Sequence, residues 1–345
     1  MDEALAAMRA LDTDASWTIR TWTRIVEASS VEGMQANTTK DMVTLFLISA
    51  GLLPTDPPQC PTCSAHFVAV PCPSHERYPL GVGLTCQCKR ERPLNLLKNT
   101  IWEHRQIDRV VPFYFLYAAG VPAQTLVREY NLSEPTKREW LHDLQMLFAE
   151  DVLTAGCGAP VLVGSPGERV FVDETLLRRR KPVSAPYRRV AAAAQRRQVW
   201  LWGAVAEHGL QDGQVMFMIL PDEDGARSAS SLVAALHACV APGSRIVHDD
   251  WGGYRKIDWS RLPFEHDVTC VVNHSKEIVN IFGEDTNTIE NVWGVLKNWL
   301  RARHNGRIPC LSIVEGDLWE FLWRRRTPLD ARAAHLRSLL RELAF

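Results

Sequence analysis

The sequence predicts an α/β protein in which helical and cysteine-rich segments precede a domain built on a mixed β-sheet. Three observations lead to this fold class. Apolar residues recur at helical spacing through residues 1–53 and again through residues 107–150. Five cysteines are crowded into residues 60–88. After a linker at residues 155–167, the apolar pattern changes to the alternation that is typical of strands.

Length and composition indicate a folded protein of several domains. The chain has 345 residues, of which 46% are apolar and 23% charged, and domains of ~100–200 residues imply two or three modules. Its N-terminus carries acids and no basic segment, so no secretory signal is expected. The longest apolar stretch, residues 42–53, is shorter than the ~20 residues of a membrane span. We therefore expect a soluble intracellular protein.

The charge of the chain is unevenly distributed. A net charge of −1 argues by itself against nucleic-acid binding, but residues 178–197 contain eight bases and no acid. These bases are Arg178, Arg179, Arg180, Lys181, Arg188, Arg189, Arg196 and Arg197. A second Arg-rich stretch contains Arg301, Arg303, Arg307 and the run Arg324, Arg325 and Arg326. Such clusters release counterions from a phosphate backbone, which favours DNA as a partner over a solvated surface or a disordered loop.

The crowded cysteines predict a structural zinc site. Cys60 and Cys63 form a Cys-x-x-Cys pair, and Cys86 and Cys88 follow as Cys-x-Cys. Four thiolates satisfy tetrahedral zinc, which supplies the folding energy that so small an apolar core lacks. Free cysteines without metal are the alternative. One ligand could instead come from His66, Cys72 or His75.

Two predicted helices before the linker have the spacing of a helix-turn-helix. Residues 121–130 and 134–148 are separated by a three-residue turn, with Ser133 as the N-cap and Pro135 in the first turn. The second helix would present Thr136, Lys137 and Arg138 to a DNA groove. An ordinary αα-hairpin is the alternative.

The second half of the chain predicts a mixed sheet. Strands are expected at residues 169–173, 198–205, 213–220, 245–249 and 268–273, with helices at 228–240 and 288–303. If the first and fourth strands are neighbours, Asp173 and Asp249 emerge at the same edge, and the last helix brings Glu290 over them. Converging carboxylates favour two Mg²⁺ or Mn²⁺ ions ~3.5–4 Å apart, the arrangement that serves phosphoryl transfer.

Each of these acids has a structural alternative. Asp173 stands beside Glu174, and Asp249 competes with Asp250. Residues 287–290 fit a capping box, in which Glu290 would only bond back to the start of its helix. The helical pattern favours the metal site, because the buried stripe leaves Glu290, Lys297 and Arg301 together on another face.

Five motifs in order resemble the Merlin-type DDE transposases and their bacterial insertion-sequence relatives, from about Leu45 to Trp323. They are FLISAGLLPTDPPQCPTC, VFVDETLLRRRK, IVHDDWGGY, VVNHSKEIVN and DTNTIENVWGVLKNWL. The third is similar to the family's Asp-x-Trp-x-x-Tyr motif, which selects Asp249 over Asp250. By the same resemblance His274 would lie near the active site, unless it is a core or surface histidine. Some bacterial relatives use Asn as the third ligand, so Asn287 and Asn291 stay open as alternatives to Glu290.

The resemblance implies a ribonuclease-H-like catalytic core behind DNA-recognition modules. On this basis the domains are an N-terminal helical region at 1–56, a zinc ribbon at 57–95, a helix-turn-helix-like region at 96–155, the catalytic domain at 165–326 and a C-terminal helix at 327–345. It also implies cut-and-paste transposition of double-stranded DNA by a homodimer or larger assembly, in the nucleus of a eukaryotic host or otherwise in the cytoplasm. A domesticated DNA-binding protein without cutting activity and a structure-selective nuclease are the alternatives.

Overall fold

The structure, a computed structural model, describes residues 37–53, 59–60, 62–73, 77–98, 100–154, 160–178, 199–207, 209, 214–221, 227–272, 286–309 and 311–344. The predicted helix around Trp17–Ile25 lies outside these residues. The chain forms two compact units. The first draws on Met1–Leu144 and Thr327–Phe345, and the second is Gln145–Arg326.

The helices of the described residues are α1 Thr39–Ser49, α2 Ile107–Ala118, α3 Ala123–Glu129, α4 Glu134–Leu153, α5 Ala229–Cys239, α6 Asn287–Arg303, α7 Leu311–Arg326 and α8 Arg332–Ala344. The strands are β1 Val68–Pro71, β2 Val82–Cys86, β3 Lys89–Asn95, β4 Arg169–Arg178, β5 Val199–Ala206, β6 Val215–Ile219, β7 Arg245–Asp249 and β8 Val271–Val272. No helix among the described residues combines the length and apolarity that crossing a membrane requires.

The first unit combines a small sheet with a helical core. Strands β1, β2 and β3 form an antiparallel sheet in that order, and we call residues 59–98 with these strands the cysteine ribbon. Helices α1 and α2 pack through Phe46 and Phe115, whose rings meet edge to face at 5.3 Å. Helix α8 also packs against α2. The apolar faces of these helices therefore form one core.

The turn between α3 and α4 has the predicted caps. The hydroxyl of Ser133 accepts a hydrogen bond from the backbone N–H of Thr136 at 3.3 Å. Pro135 lies in the first turn of α4, where its missing N–H costs no helical hydrogen bond. Helix α4 then continues to Leu153, five residues beyond the predicted end at residue 148, because Val152 is fully buried.

The second unit is a five-stranded mixed sheet in the order β6-β5-β4-β7-β8. Strand β5 pairs antiparallel with β4 and β6, whereas β7 is parallel to β4 and β8. The first and fourth strands of this unit are therefore neighbours, which is the condition under which Asp173 and Asp249 were expected to emerge at one edge. Helix α6 packs on β4 and β5, and α5 packs on β5 and β6.

Two predicted strands differ from the observed ones. Strand β4 does not end at Asp173 but runs to Arg178, because β5 continues to pair with its second half. The strand expected at 268–273 is reduced to Val271–Val272. The carboxylate of Asp267 accepts a hydrogen bond from the N–H of Thr269 at 2.8 Å and folds the preceding residues into a 3₁₀ turn.

Three of the six C-terminal arginines have structural partners. The guanidinium of Arg303 binds Glu320 through two hydrogen bonds of 3.0 and 2.6 Å, and Arg324 binds the same carboxylate at 2.8 Å. Glu320 is fully buried. Arg326 donates to the backbone carbonyls of Val152 and Val215. The other three members of the second predicted DNA cluster, Arg301, Arg307 and Arg325, are exposed.

Candidate active site

Two acidic residues lie side by side on neighbouring parallel strands. Val172 of β4 is opposite His248 of β7, so Asp173 and Asp249 are the next residues on each strand. We call Asp173 and Asp249 the acid pair. Beyond this point β7 ends, whereas β4 continues. The acid pair therefore stands where the parallel pairing stops and its carboxylates can leave the sheet together.

The carboxylate of Asp173 is held in a largely buried, acidic environment. Burial, together with the charges of Glu174 and Asp249, raises its pKa from 3.8 to about 7. The indole Nε1–H of Trp293 on α6 donates a 2.9 Å hydrogen bond to Oδ2 and opposes this shift. A buried acid pair of this kind suits a hard divalent cation, whose charge would offset the repulsion.

A glycine makes room for the tryptophan that holds Asp173. Gly203 of β5 is directly opposite Asp173 in the sheet. A Cβ atom at Gly203 would lie 2.4 Å from the Cη2 atom of Trp293 and 3.2 Å from Phe217. The Trp293 ring also stacks on Phe217 at 5.4 Å. The absence of a side chain at Gly203 thus lets the indole lie across the sheet and reach the carboxylate.

Glu174, the neighbour of Asp173, is fully occupied by structural partners. Its Oε2 accepts hydrogen bonds from Nε and Nη2 of Arg227 at 2.7 and 2.6 Å. Its Oε1 accepts from the hydroxyl of Tyr254 at 2.6 Å, and Trp202 donates in turn to that hydroxyl at 3.1 Å. Glu174 is therefore the structural acid of the two, and Asp173 is the one that faces Asp249.

The same distinction applies to the second pair of acids. Asp250 forms an ion pair with Arg255, which donates through Nε to Oδ1 at 2.6 Å and through Nη2 to Oδ2. Arg255 is exposed, so this is a surface pair. Asp249 ends β7 beside Asp173, which makes Asp249 the better candidate for a metal ligand.

Glu290 lies on the exposed side of the first turns of α6. The helix begins at Asn287, which makes Glu290 its fourth residue and contradicts a capping box with Asn287 as the cap. The hydroxyl of Thr286 donates to Oε1 of Glu290 at 3.4 Å. Glu290 precedes Trp293, whose indole contacts Asp173, by three residues on the same helix. The carboxylates of Asp173, Asp249 and Glu290 do not all come within 4.8 Å of one another in the described structure.

Lys297 contacts the strand that carries Asp173. Its ammonium donates a 2.5 Å hydrogen bond to the hydroxyl of Thr175, two residues after Asp173 on β4. Burial lowers the pKa of Lys297, as does the charge of Arg301, while Asp173 raises it. Arg301 is exposed and donates to Asn298 at 3.3 Å. A cation therefore stands within the site, one helical turn from Trp293.

The remaining predicted DNA-binding residues divide into two groups. In α4, Lys137 pairs with Glu134 at 2.7 Å, whereas Arg138 is exposed. Arg178 ends β4, and its side chain is not described. Arg179, Arg180, Lys181, Arg188, Arg189 and His274 lie outside the described residues.

The four predicted cysteines converge at one end of the cysteine ribbon. The Sγ atoms of Cys63 and Cys86 are 3.2 Å apart, and Cys88 lies 3.5 Å from both Cys60 and Cys86. Zinc–sulfur bonds of ~2.3 Å place tetrahedral sulfurs about 3.8 Å apart, so a small expansion would admit the ion. Among the residues that the structure describes, this is the one group of three or more metal-ligating side chains with ligand atoms within 4.8 Å of one another.

The surroundings of these sulfurs also suit zinc. Backbone hydrogen bonds from Thr62 and Cys63 outweigh burial and lower the pKa of Cys60 to about 6, which favours the thiolate. Hydrogen bonds from the other cysteines raise the pKa of Cys88 to about 12, so a metal ion would have to displace its proton. Neither His66 nor Cys72 belongs to the cluster. His75 lies outside the described residues. The four cysteines can therefore hold a structural zinc ion.

Three residues of the site have structural roles that the sequence did not reveal. Trp293 fits the buried apolar stripe of its helix, and nothing in its spacing signals the hydrogen bond to Asp173. Arg227 is separated from Glu174 by 53 positions, so the ion pair exists only in the fold. Tyr254 did carry a signal, since it ends the motif that begins at Asp249, and the structure assigns it to Glu174.

An acid pair on a mixed sheet with a flanking cation is typical of metal-dependent enzymes that act on phosphate esters. The comparison with known families agrees with this class. Residues 166–309 match the ISXO2-like transposase domain, and the match includes both members of the acid pair and Glu290. This similarity covers less than half of the chain and supports an insertion-sequence transposase family, with DNA as the partner. No curated protein and no solved structure gives a match.

Proposed function

We propose that this protein is a cut-and-paste DNA transposase that cleaves at terminal inverted repeats and transfers the strands into target DNA. The observation that carries the proposal is the acid pair, which the fold brings together from strands that are distant in sequence. It lies within the segment that is similar to a transposase domain. Asp173, Asp249 and Glu290 would bind Mg²⁺ or Mn²⁺ as a DDE site.

The residues of the site suit the handling of a phosphodiester. When bound, the metal ions would activate the attacking water or 3′-hydroxyl and stabilise the leaving oxygen. Trp293 orients the Asp173 carboxylate by its hydrogen bond. The ammonium group of Lys297 lies near the acids, where it would bind a phosphate of the DNA. Because burial raises the pKa of Asp173, this residue must release its proton before it can act as a ligand.

The other modules would supply recognition. In this proposal the second unit is the ribonuclease-H-like core of a Merlin-type DDE transposase, and the cysteine ribbon binds structural zinc. Helices α3 and α4 would act as the helix-turn-helix, with Arg138 exposed toward the DNA. Because two transposon ends must be held together, we propose a homodimer or larger assembly. His274 would act near the scissile phosphate. The protein would work in the nucleus of a eukaryotic host or otherwise in the cytoplasm.

The test is cleavage of DNA that carries the inverted repeats flanking the protein's own gene, in the presence of Mg²⁺. Asp173→Asn, Asp249→Asn and Glu290→Gln should each abolish cleavage and leave repeat binding intact. Two matched variants serve as controls. Asp250→Asn removes the neighbouring acid, whose exposed ion pair contributes little stability, and should retain cleavage. Glu315→Gln removes an exposed acid of α7 and should also retain it.

Three outcomes separate the possible functions. Ordered cleavage at the repeat supports the transposase. Binding to the repeat without cleavage would instead indicate a domesticated DNA-binding protein, and cutting that ignores the repeat would indicate a structure-selective nuclease. Full strand transfer by any of the three acid variants would refute the assignment of that residue.

A further inference from the structure

An indole is exposed immediately beyond the acid pair. Trp251 follows Asp249 by two positions and has 42% of its surface exposed. The other large apolar side chains that are exposed among the described residues are aliphatic or methionine. Two residues of chain span at most about 7 Å between Cα atoms, so the backbone that carries the ring lies beside Asp249.

The exposed ring is held in a fixed position. The guanidinium carbon of Arg227 lies 3.9 Å from the centre of the Trp251 ring and 4.7 Å from that of Trp200. Arg227 is fixed in turn by its two hydrogen bonds to Glu174, whose side chain is fully buried. The contacts Glu174–Arg227–Trp251 thus connect the strand of Asp173 to the loop after Asp249. A ring that is already ordered loses little entropy when a ligand stacks on it.

The loop around Trp251 leaves space for a ligand. A Cβ atom at Gly252 would have nothing within 4 Å, whereas one at Gly253 would lie 2.8 Å from the carbonyl oxygen of Arg227. The chain therefore turns tightly at Gly253 and presents Trp251 outward. Trp251 is not needed to hold Arg227, because Glu174 and Trp200 already contact its guanidinium. The contact with Arg227 therefore does not explain why Trp251 is exposed.

We propose that Trp251 is a stacking platform for a nucleobase that leaves the DNA duplex beside the scissile phosphate. The inference rests on the proposed transposase function and makes Trp251 a positioning residue. The chemistry fits a base, because an aromatic face binds any of the four bases by stacking. The placement fits as well, since the exposed ring stands on the loop that directly follows Asp249.

The decisive test couples the tryptophan to the base. Trp251→Ala should lower the cleavage rate on intact repeat DNA by about 5- to 150-fold, the range expected for one lost base–aromatic stack. Single abasic sites are then placed at each of the two nucleotides on either side of the cleavage position. When the abasic site replaces the nucleotide whose base stacks on Trp251, the wild type and Trp251→Ala should cleave at equal rates. On intact DNA, Trp251→Phe should retain part of the cleavage rate that Trp251→Ala loses.

Trp299→Ala is the matched control. Trp299 also covers an arginine, since Arg303 lies 5.0 Å from its ring centre, but its neighbours are Arg303 and Phe321 of the α6–α7 region. The ratio of the Trp299→Ala cleavage rate to the wild-type rate should be the same on intact DNA and on every abasic DNA. If Trp251→Ala lowers cleavage by the same factor on intact DNA and on every abasic DNA, the stacking role is refuted, while the acid-pair assignment is unaffected.

A binding measurement keeps the inference testable without cleavage. Affinity for a short single-stranded oligonucleotide carrying one 2-aminopurine should fall by a similar factor in Trp251→Ala, and the fluorescence quenching of the bound base should be lost. Unchanged affinity and quenching would refute the platform. If the wild type binds and quenches in this way but cuts no DNA, the proposed transposase function fails and the platform stands.

Discussion

The replacement Asp173→Asn should stabilise the protein while it abolishes the proposed reaction. In the absence of Mg²⁺ or Mn²⁺, Asp173 is largely buried beside two other carboxylates, and burial raises its pKa from 3.8 to about 7. Asparagine removes the charge and can still accept the hydrogen bond from Trp293. Residues arranged for function often reduce stability in this way.

The size of the effect follows from the pKa difference. A carboxyl whose pKa is raised by folding contributes its stability at low pH, and the protein loses that stability as the pH rises from about 4 to about 7. The shift to about 7 corresponds to a cost of up to about 4 kcal/mol at pH 8 and about 2 kcal/mol at pH 5. Asp173→Asn should recover these amounts, so its advantage should grow with pH.

Urea unfolding of the full chain at pH 5 and pH 8 measures this advantage, with zinc retained and Mg²⁺ and Mn²⁺ omitted. Adding Mn²⁺ should stabilise the wild type by mass action and leave Asp173→Asn unchanged. Asp250→Asn should show neither effect. A loss of stability in Asp173→Asn at pH 8, or an equal gain at both pH values, would refute the reasoning about burial and charge.

Three further predictions concern the framework of the sites. Replacing Cys86 by Ser should lower the zinc content, measured by atomic absorption, and abolish repeat binding in a gel-shift assay, because the cysteine ribbon lacks an apolar core of sufficient size. Gly203→Ala should reduce cleavage more than repeat binding, since its Cβ would displace Trp293 from Asp173. Glu320→Gln should lower the free energy of unfolding by about 3–5 kcal/mol, because it removes the buried carboxylate charge that binds both Arg303 and Arg324.

Each variant has a control of the same residue type at another position. Cys239→Ala removes a buried cysteine far from the ribbon in sequence and should keep the zinc. Gly167→Ala adds a strained residue (φ +78°) whose Cβ lies in open space before β4, and should leave cleavage within a few-fold of the wild type. Glu315→Gln should change the stability by less than about 0.5 kcal/mol. Equal effects of each variant and its control would contradict the corresponding structural role.

The sheet could be predicted where burial alone determines the strand. Residues 245–249 form β7 as expected, because the three central residues of this segment are all buried in the sheet. The pattern at 268–273 was equally suggestive but wrong for its first half. The carboxylate of Asp267 competes for the backbone N–H of Thr269 and forms a turn instead. Such a local hydrogen bond is not visible in the alternation of apolar residues.

The acids could be placed from the sequence, but their roles depend on distant partners. Glu174 and Asp173 are chemically similar and adjacent, and only Arg227 and Tyr254 distinguish them. For the arginines near the C-terminus, by contrast, the sequence did not show the acids with which they pair. Arg303 and Arg324 were interpreted as part of a DNA-binding cluster, yet Glu320 of α7 pairs with both, and Asp317 of the same helix pairs with Arg303. Charge patterns do not reveal which ions are paired within the fold.

The division of the chain has a consequence for its synthesis. The first unit uses residues from both sides of the second, because α8 packs against α2. At about 5–20 residues per second, the ribosome needs about 10–40 s after Leu144 before it reaches Thr327. During that interval α2 exposes apolar surface that α8 will later cover, and a chaperone has time to bind it. Fragments that stop at Arg326 should therefore express the second unit intact and leave the first prone to aggregation.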